Sequence, residues 1–173
     1  YPPRINDNIC ALKEVTFPKM NEAAFVGLAG DIVRAIAPQT ESDPISILIQ
    51  FLNMMGNAVG RNRYYLVEGD KHFPNLFNVL VGDTSRARKG TSYKRCLLIL
   101  KAIDPNWSAN CIKSGLSSGE GLIHHVRDAS ERHTTQGKKP KIDHDPGVKD
   151  KRLFIQEGEF TSVLKNFDRQ GNT

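Results

Sequence analysis

No stretch of this chain is both long and apolar enough to cross a bilayer. The longest apolar run, ISILIQFLNMM at 45–55, is too short and is interrupted by polar residues. The first residues have neither a basic start nor a following apolar segment, so no secretory leader is expected. An initiator methionine is missing as well, which predicts a piece of a longer protein. Cysteine is scarce: Cys10, Cys96 and Cys111, an odd set at wide spacings, fit neither a disulfide framework nor a zinc site. A reducing, cytoplasmic compartment is therefore expected. Histidines and cysteines at metal-ligand intervals are lacking too, so His124 and His125 read as surface residues of a helix. There is no internal repeat.

What the chain does have is the composition of one globular domain. It has 173 residues, 39% of them apolar and 25% charged. The net charge of +5 is compatible with a nucleotide or nucleic-acid partner without requiring either. Residues 1–60 read as an extended lead-in followed by helices. Phe25, Leu28, Ile32 and Ile36 recur at helical spacing until Pro38 stops the run. Asp43 and Pro44 are spaced as the N-cap and first position of a second helix, apolar on nearly every face and bracketed at its end by Gly56 and Gly60.

From residue 61 the period changes. YYLV at 64–67 and LFNVLV at 76–81 read as strands joined by EGDKHFPN. A helix is expected from Thr91 to about Ala102, with Leu97, Leu100 and Ile103 on its inner face. A short strand near 110–114 follows, then a helix to about Asp128 that Ser117 and Glu120 open as a capping box. Residues 129–150 show no apolar period and read as a long mobile loop. RLFIQ at 152–156 reads as a last strand, followed by the helical pattern FTSVLKNF. The order predicts an α/β fold with a helical N-terminal region, its second part (61–173) an incomplete parallel-sheet domain.

The stretch VGDTSRARKGTS at 81–92 carries the chemistry. A phosphate loop needs a strand to aim it, small residues that let backbone N–H groups converge, and a helix N-terminus behind it. Here 76–81 supplies the strand, Gly82 the turn, and Thr84 and Ser85 the small polar residues. Arg86 and Arg88 add charge. Lys89 would reach the outer phosphates, Gly90 follows it, and Thr91 or Ser92 would place a hydroxyl on Mg²⁺. The fit to G-x-x-x-x-G-K-S/T is irregular, because Lys89 comes one residue late and Arg88 stands where the second glycine belongs. A basic surface turn is the competing reading. Glu157 and Glu159, after the apolar RLFIQ, could hold Mg²⁺ or orient water; equally, they could be surface residues at a strand end. Glu120 could serve as general base or simply cap its helix.

Five segments occur in an order that resembles a little-characterised bacterial P-loop family, akin to the primase-helicase proteins of phages, plasmids and other mobile elements. They are FVGLAGDIVRAIAP, GNAVGR, FPNLFNVLVGDTSRARKGTS, GLSSGEGLI and DKRLFIQEGEFTSVLKNFDRQGNT. The resemblance implies a RecA-like ATPase core, truncated at its C-terminus. In it Lys89 and Thr91 would serve phosphate and Mg²⁺, Glu157 and Glu159 the second motif, and ATP would be the nucleotide. It further implies coupling to DNA, and the ring-shaped homo-oligomers common among such motors. Lys138, Lys139 and Lys141 in the 129–150 segment are the candidate contacts to a nucleic-acid backbone, with Arg132 and Lys149 flanking them. Two other classes remain open: a nucleotide-kinase-like phosphoryl transferase, which shares the lysine-glycine-threonine order, and a non-catalytic DNA-binding or assembly module.

Overall fold

The computed structural model describes residues 19–82, 88–115, 118–134, 141–159, 161 and 164–165. Its centre is a helix, α2 (Pro44–Val59). As the sequence predicts, Asp43 caps it, its Oδ1 accepting the Ile45 N–H at 2.7 Å, and Pro44 occupies the first turn, where no helical donor is needed. The helix ends at Gly60, whose φ of +67° suits a residue without a Cβ. Ile47, Leu48, Phe51 and Met54 form its buried stripe.

Against that stripe lies α3 (Lys89–Ile103), which contributes Ser92, Cys96 and Leu100 at successive intervals of four. The inner face thus differs from the expected one. Ile103 is exposed and Leu97 only half-buried, because the smaller Ser92 and Cys96 let the two helices approach closely. The Ser46 and Ser92 hydroxyls meet in this seam at 2.8 Å. A shorter helix, α1 (Gly27–Ile36), covers the other side of α2 with Gly30 and Val33. Its Leu28, expected inside, is 62% exposed. Gly56 of α2 lies against the Pro74 carbonyl so closely that a Cβ there would collide with it.

After α3, Asp104 caps α4 (Pro105–Asn110) by accepting the Trp107 N–H at 2.8 Å. The Trp107 side chain is fully buried. Its indole Nε1–H donates to Asn57 Oδ1 at 2.8 Å, and its ring meets Phe154 edge-on at 5.9 Å. The chain then enters β3 (Ile112–Lys113), which pairs in parallel with β6 (Phe154–Ile155) in the register Ile112 to Phe154. Both strands lie within the segments expected to form them. Val33 of α1, the α2 stripe, Cys96, Leu100, Trp107, Cys111 and Phe154 make one continuous apolar cluster.

Two expectations fail. The strand β1 (Tyr65–Val67) is present, but its antiparallel partner β2 (Asp70–His72) lies inside the segment expected as a connection. Glu68 and Gly69 both have positive φ, the geometry of a two-residue hairpin turn, so the chain reverses early. The run 76–81 pairs with no strand among the described residues, and Phe77 and Val81 are 93% and 92% exposed. A run of β-forming residues becomes a strand only with a neighbour to complete its ladder.

The second failure is residues 129–150, expected as a loop. There β4 (Ser130–Thr134) and β5 (Lys141–Asp145) form an antiparallel hairpin. Polar contacts hold its base. Arg127 donates to both Asp145 carboxylate oxygens at 2.6 and 3.0 Å, and the Gly147 N–H donates to Asp145 Oδ1 at 2.9 Å. Among the described residues the architecture is mixed α/β: a helical layer, one parallel strand pair and two antiparallel pairs. Among the described residues no helix is long and apolar enough to cross a membrane.

Candidate functional site

The entry to α3 is built around the Arg88 carbonyl. Arg88 sits in the left-handed region (φ +45°), and its carbonyl accepts the N–H groups of Thr91 and Ser92 at 3.0 and 3.1 Å. The Ser42 hydroxyl also donates to it at 3.4 Å, which ties the turn to the segment before α2. The Arg88 guanidinium points to Glu41 at 2.6 Å. Its charge is thus already met by a carboxylate, on a pair that is largely exposed.

Lys89 behaves differently. Its side chain turns back across the loop it terminates, and Nζ donates to the Gly82 carbonyl at 2.7 Å. One hydrogen bond therefore links both ends of the candidate phosphate loop and holds an ammonium at the N-terminus of α3, where the helix dipole already favours an anion. Beside it, a Cβ on Gly90 would meet no atom within 4 Å, so this surface is open. Thr84, Ser85 and Arg86 lie outside the described residues.

The two candidate Mg²⁺ hydroxyls separate. Thr91 is exposed, whereas Ser92 is fully buried and engaged by Ser46 and by the Lys89 carbonyl at 2.8 Å. Ser92 is thus a seam residue and not a ligand: helical spacing turns it toward α2 while its neighbour faces solvent.

The carboxylates belong to another part of the fold. Because β3 and β6 are parallel, the segments that leave them emerge at the same end. One leads to α5 (Gly119–His125), which carries Glu120 in its first turn; the other carries Glu157 and Glu159. Glu120 is exposed. The cap of α5 is Ser118, whose Oγ accepts the Gly121 N–H at 3.1 Å. With Ser118 as the cap, the third helical position is Gly121, so Glu120 is one residue short of a capping box. Ser117 lies outside the described residues, as do Lys138 and Lys139. No hydrogen bond or ion pair joins Lys89 to Glu120 among the described residues, and there no group of three metal-ligating side chains converges.

A polar hub beside this strand pair joins residues far apart in the chain. Arg152 donates to the Ala58 carbonyl at 2.7 Å, to Asp104 at 2.8 Å and to Asp150 at 2.6 Å. The Arg152 hydrogen bond holds the Asp150 carboxyl down at about 2. The Trp107 N–H and Arg152 lower that of Asp104. Cys111, buried beside Asp150, has its thiol pushed up to about 11, by burial first and then by that carboxylate. Asn57 completes the hub, its Nδ2 donating to the Leu153 carbonyl at 2.8 Å. These contacts join α2 and α4 to the start of β6 and so fix where the Glu157 turn emerges. Only the spacing of Asp150 and Arg152 was visible beforehand, and a charged pair two residues apart is too common to single out.

No family model, curated protein or solved structure matches this chain.

Proposed function

We propose that residues 82–92 hold the phosphates of ATP, and that the chain is part of a RecA-like P-loop ATPase whose turnover is coupled to DNA, as in a replicative or mobile-element helicase. The observation that carries this reading is the Lys89 ammonium, folded over its own loop onto the Gly82 carbonyl at the mouth of a long helix. A phosphate oxygen would take the place of that carbonyl, and a charged acceptor binds an ammonium more strongly than a neutral one. The Thr91 hydroxyl would face Mg²⁺, which would draw its other ligands from phosphate oxygens and water. Catalysis would consist of positioning and charge neutralisation at the γ-phosphate. Glu157 would act through the metal, with Glu159 beside it, and Glu120 would orient the attacking water.

The DNA part rests on the β4–β5 hairpin, whose strands flank Lys138 and Lys139 and whose second strand opens at Lys141. Basic residues between two strands can track a phosphate backbone without reading sequence.

Thermal unfolding with Mg²⁺ and a non-hydrolysable ATP analogue tests the nucleotide reading, since a ligand bound only by the folded state raises the midpoint. The midpoint is expected to rise in the wild type and to stay put in Lys89→Ala, which loses one exposed hydrogen bond and folds. No rise at millimolar nucleotide, or an equal rise in Lys89→Ala, refutes it.

A further inference from the structure

We infer that the cleft at the carboxyl end of the β3–β6 pair is a binding site for a phosphate-sized oxyanion, separate from the loop at 82–92. It is a small cleft, open to solvent, with a cavity volume of about 30 Å³. That is far below the range of pockets that hold drug-sized ligands, so the space suits a small anion at its mouth and not a nucleoside. Lys113, the last residue of β3, and His125, the last of α5, both line it. Among the described residues no carboxylate does.

The chemistry of the lining is one-sided. Lys113 offers only donors, and among the described residues no carboxylate pairs with its ammonium. Imidazole presents an N–H in either tautomer. The Ser118 oxygen accepts from Gly121, which leaves its own O–H free to donate, and Ser114 adds a second hydroxyl. Leu122 and Ile155 form the apolar part of the wall, where a charged hydrogen bond gains strength from the lower local dielectric. Among the described residues the lining has four donor-bearing side chains and no acidic one, which favours an anion. The crossing of two parallel strand ends is also where open α/β sheets take ligands.

The shared chemistry is a phosphoryl dianion, which could arrive as free phosphate or as the terminal group of a bound nucleotide. The test is a phosphate titration of the ¹⁵N-labelled chain at constant ionic strength, with chloride as the compensating anion, followed by amide shifts. Saturable perturbation is expected at Lys113, Ser114, Gly115 and Gly121. Lys113→Gln is expected to weaken it by about tenfold or more, the worth of one charge-assisted hydrogen bond. His125→Gln, at a helix end, gives a second and milder loss should Lys113→Gln fail to fold.

Lys89→Ala separates this site from the phosphate loop and identifies the source. Phosphate shifts that persist in Lys89→Ala assign the cleft to free phosphate. Shifts at Ser114 and Gly121 that appear with a Mg²⁺-bound ATP analogue in the wild type, and vanish in Lys89→Ala, assign it to the nucleotide. Perturbation confined to residues 82–92, perturbation indifferent to both cleft variants, or none at all overturns the inference.

Discussion

Replacing Asn57 with alanine is expected to weaken the fold by an amount the structure lets one work out. Asn57 makes two hydrogen bonds of 2.8 Å: its oxygen accepts from the fully buried Trp107 indole, and its nitrogen donates to the Leu153 carbonyl. Alanine leaves both partners unpaired at the meeting of α2, α4 and β6. A buried polar group left without a partner costs about 1–3 kcal/mol, so the pair costs about 2–6 kcal/mol. With a urea dependence of about 2 kcal/mol per molar, the unfolding midpoint is expected to fall by roughly 1–3 M. Trp107 is the only tryptophan in the chain, so its fluorescence reports the transition from the altered site itself. Asn57→Asp divides the cost. It keeps an acceptor for the indole but turns a carboxylate toward the Leu153 carbonyl, so it is expected to be no more stable than Asn57→Ala. A loss below about 0.5 kcal/mol for Asn57→Ala, the size of an ordinary surface change, would refute the bridging role.

Two further outcomes follow from the same contacts. The Asp150 carboxyl titrates at about 2 in the folded chain, against an unfolded value near 3.9, because Arg152 hydrogen-bonds its charged form. Its stabilisation is complete above the unfolded value and is lost as the pH falls from there through about 2. The melting temperature of Asp150→Asn is therefore expected to be lower than that of the wild type near neutrality and to fall less steeply below pH 4; parallel acid profiles would count against the pairing. Gly147 has a φ of +66°, and a Cβ there would collide with the Asp128–Ala129 backbone, so Gly147→Ala is expected to cost more than about 1 kcal/mol. Gly90→Ala, which meets open space, serves as its control. Equal melting temperatures for the two would refute the close approach.

The features legible in the sequence are those fixed by neighbours in the chain. Asp43 and Pro44 announce the start of α2 because an N-cap acts over two or three residues, and the apolar run behind them leaves that helix nowhere but the core. The short strands at 112–113 and 154–155 could be located for the same reason, each an apolar segment between turns. What could not be read depends on distant partners. Ser92 looks as suitable a metal ligand as Thr91 until Ser46 meets it across the helix seam. The β4–β5 hairpin has no apolar alternation to betray it; a carboxylate–guanidinium pair at its base and backbone pairing between its strands anchor it. LFNVLV misled in the opposite sense, since strand-forming residues do not supply the neighbouring strand they need.

That last run bears directly on the loop at 82–92. A phosphate site gains its strength from donors held in place before the ligand arrives, so the loop needs an anchor on its strand side as well as on its helix side. The helix side is anchored: the Arg88 carbonyl accepts from Thr91 and Ser92, and Ser92 is locked to Ser46. On the other side no ladder bonds hold 76–81 among the described residues, and the chain is fixed behind it at Pro74, pressed on Gly56. The Lys89–Gly82 bond then spans the loop and steadies its free arm. Nucleotide binding would break that bond, because the same ammonium must turn to phosphate. The exchange replaces a neutral acceptor with a charged one and is favourable at the lysine itself, but it gives up the hold on Gly82. Affinity would therefore depend on how firmly 76–81 is held. A ladder partner for that run would tighten nucleotide binding without touching the nucleotide.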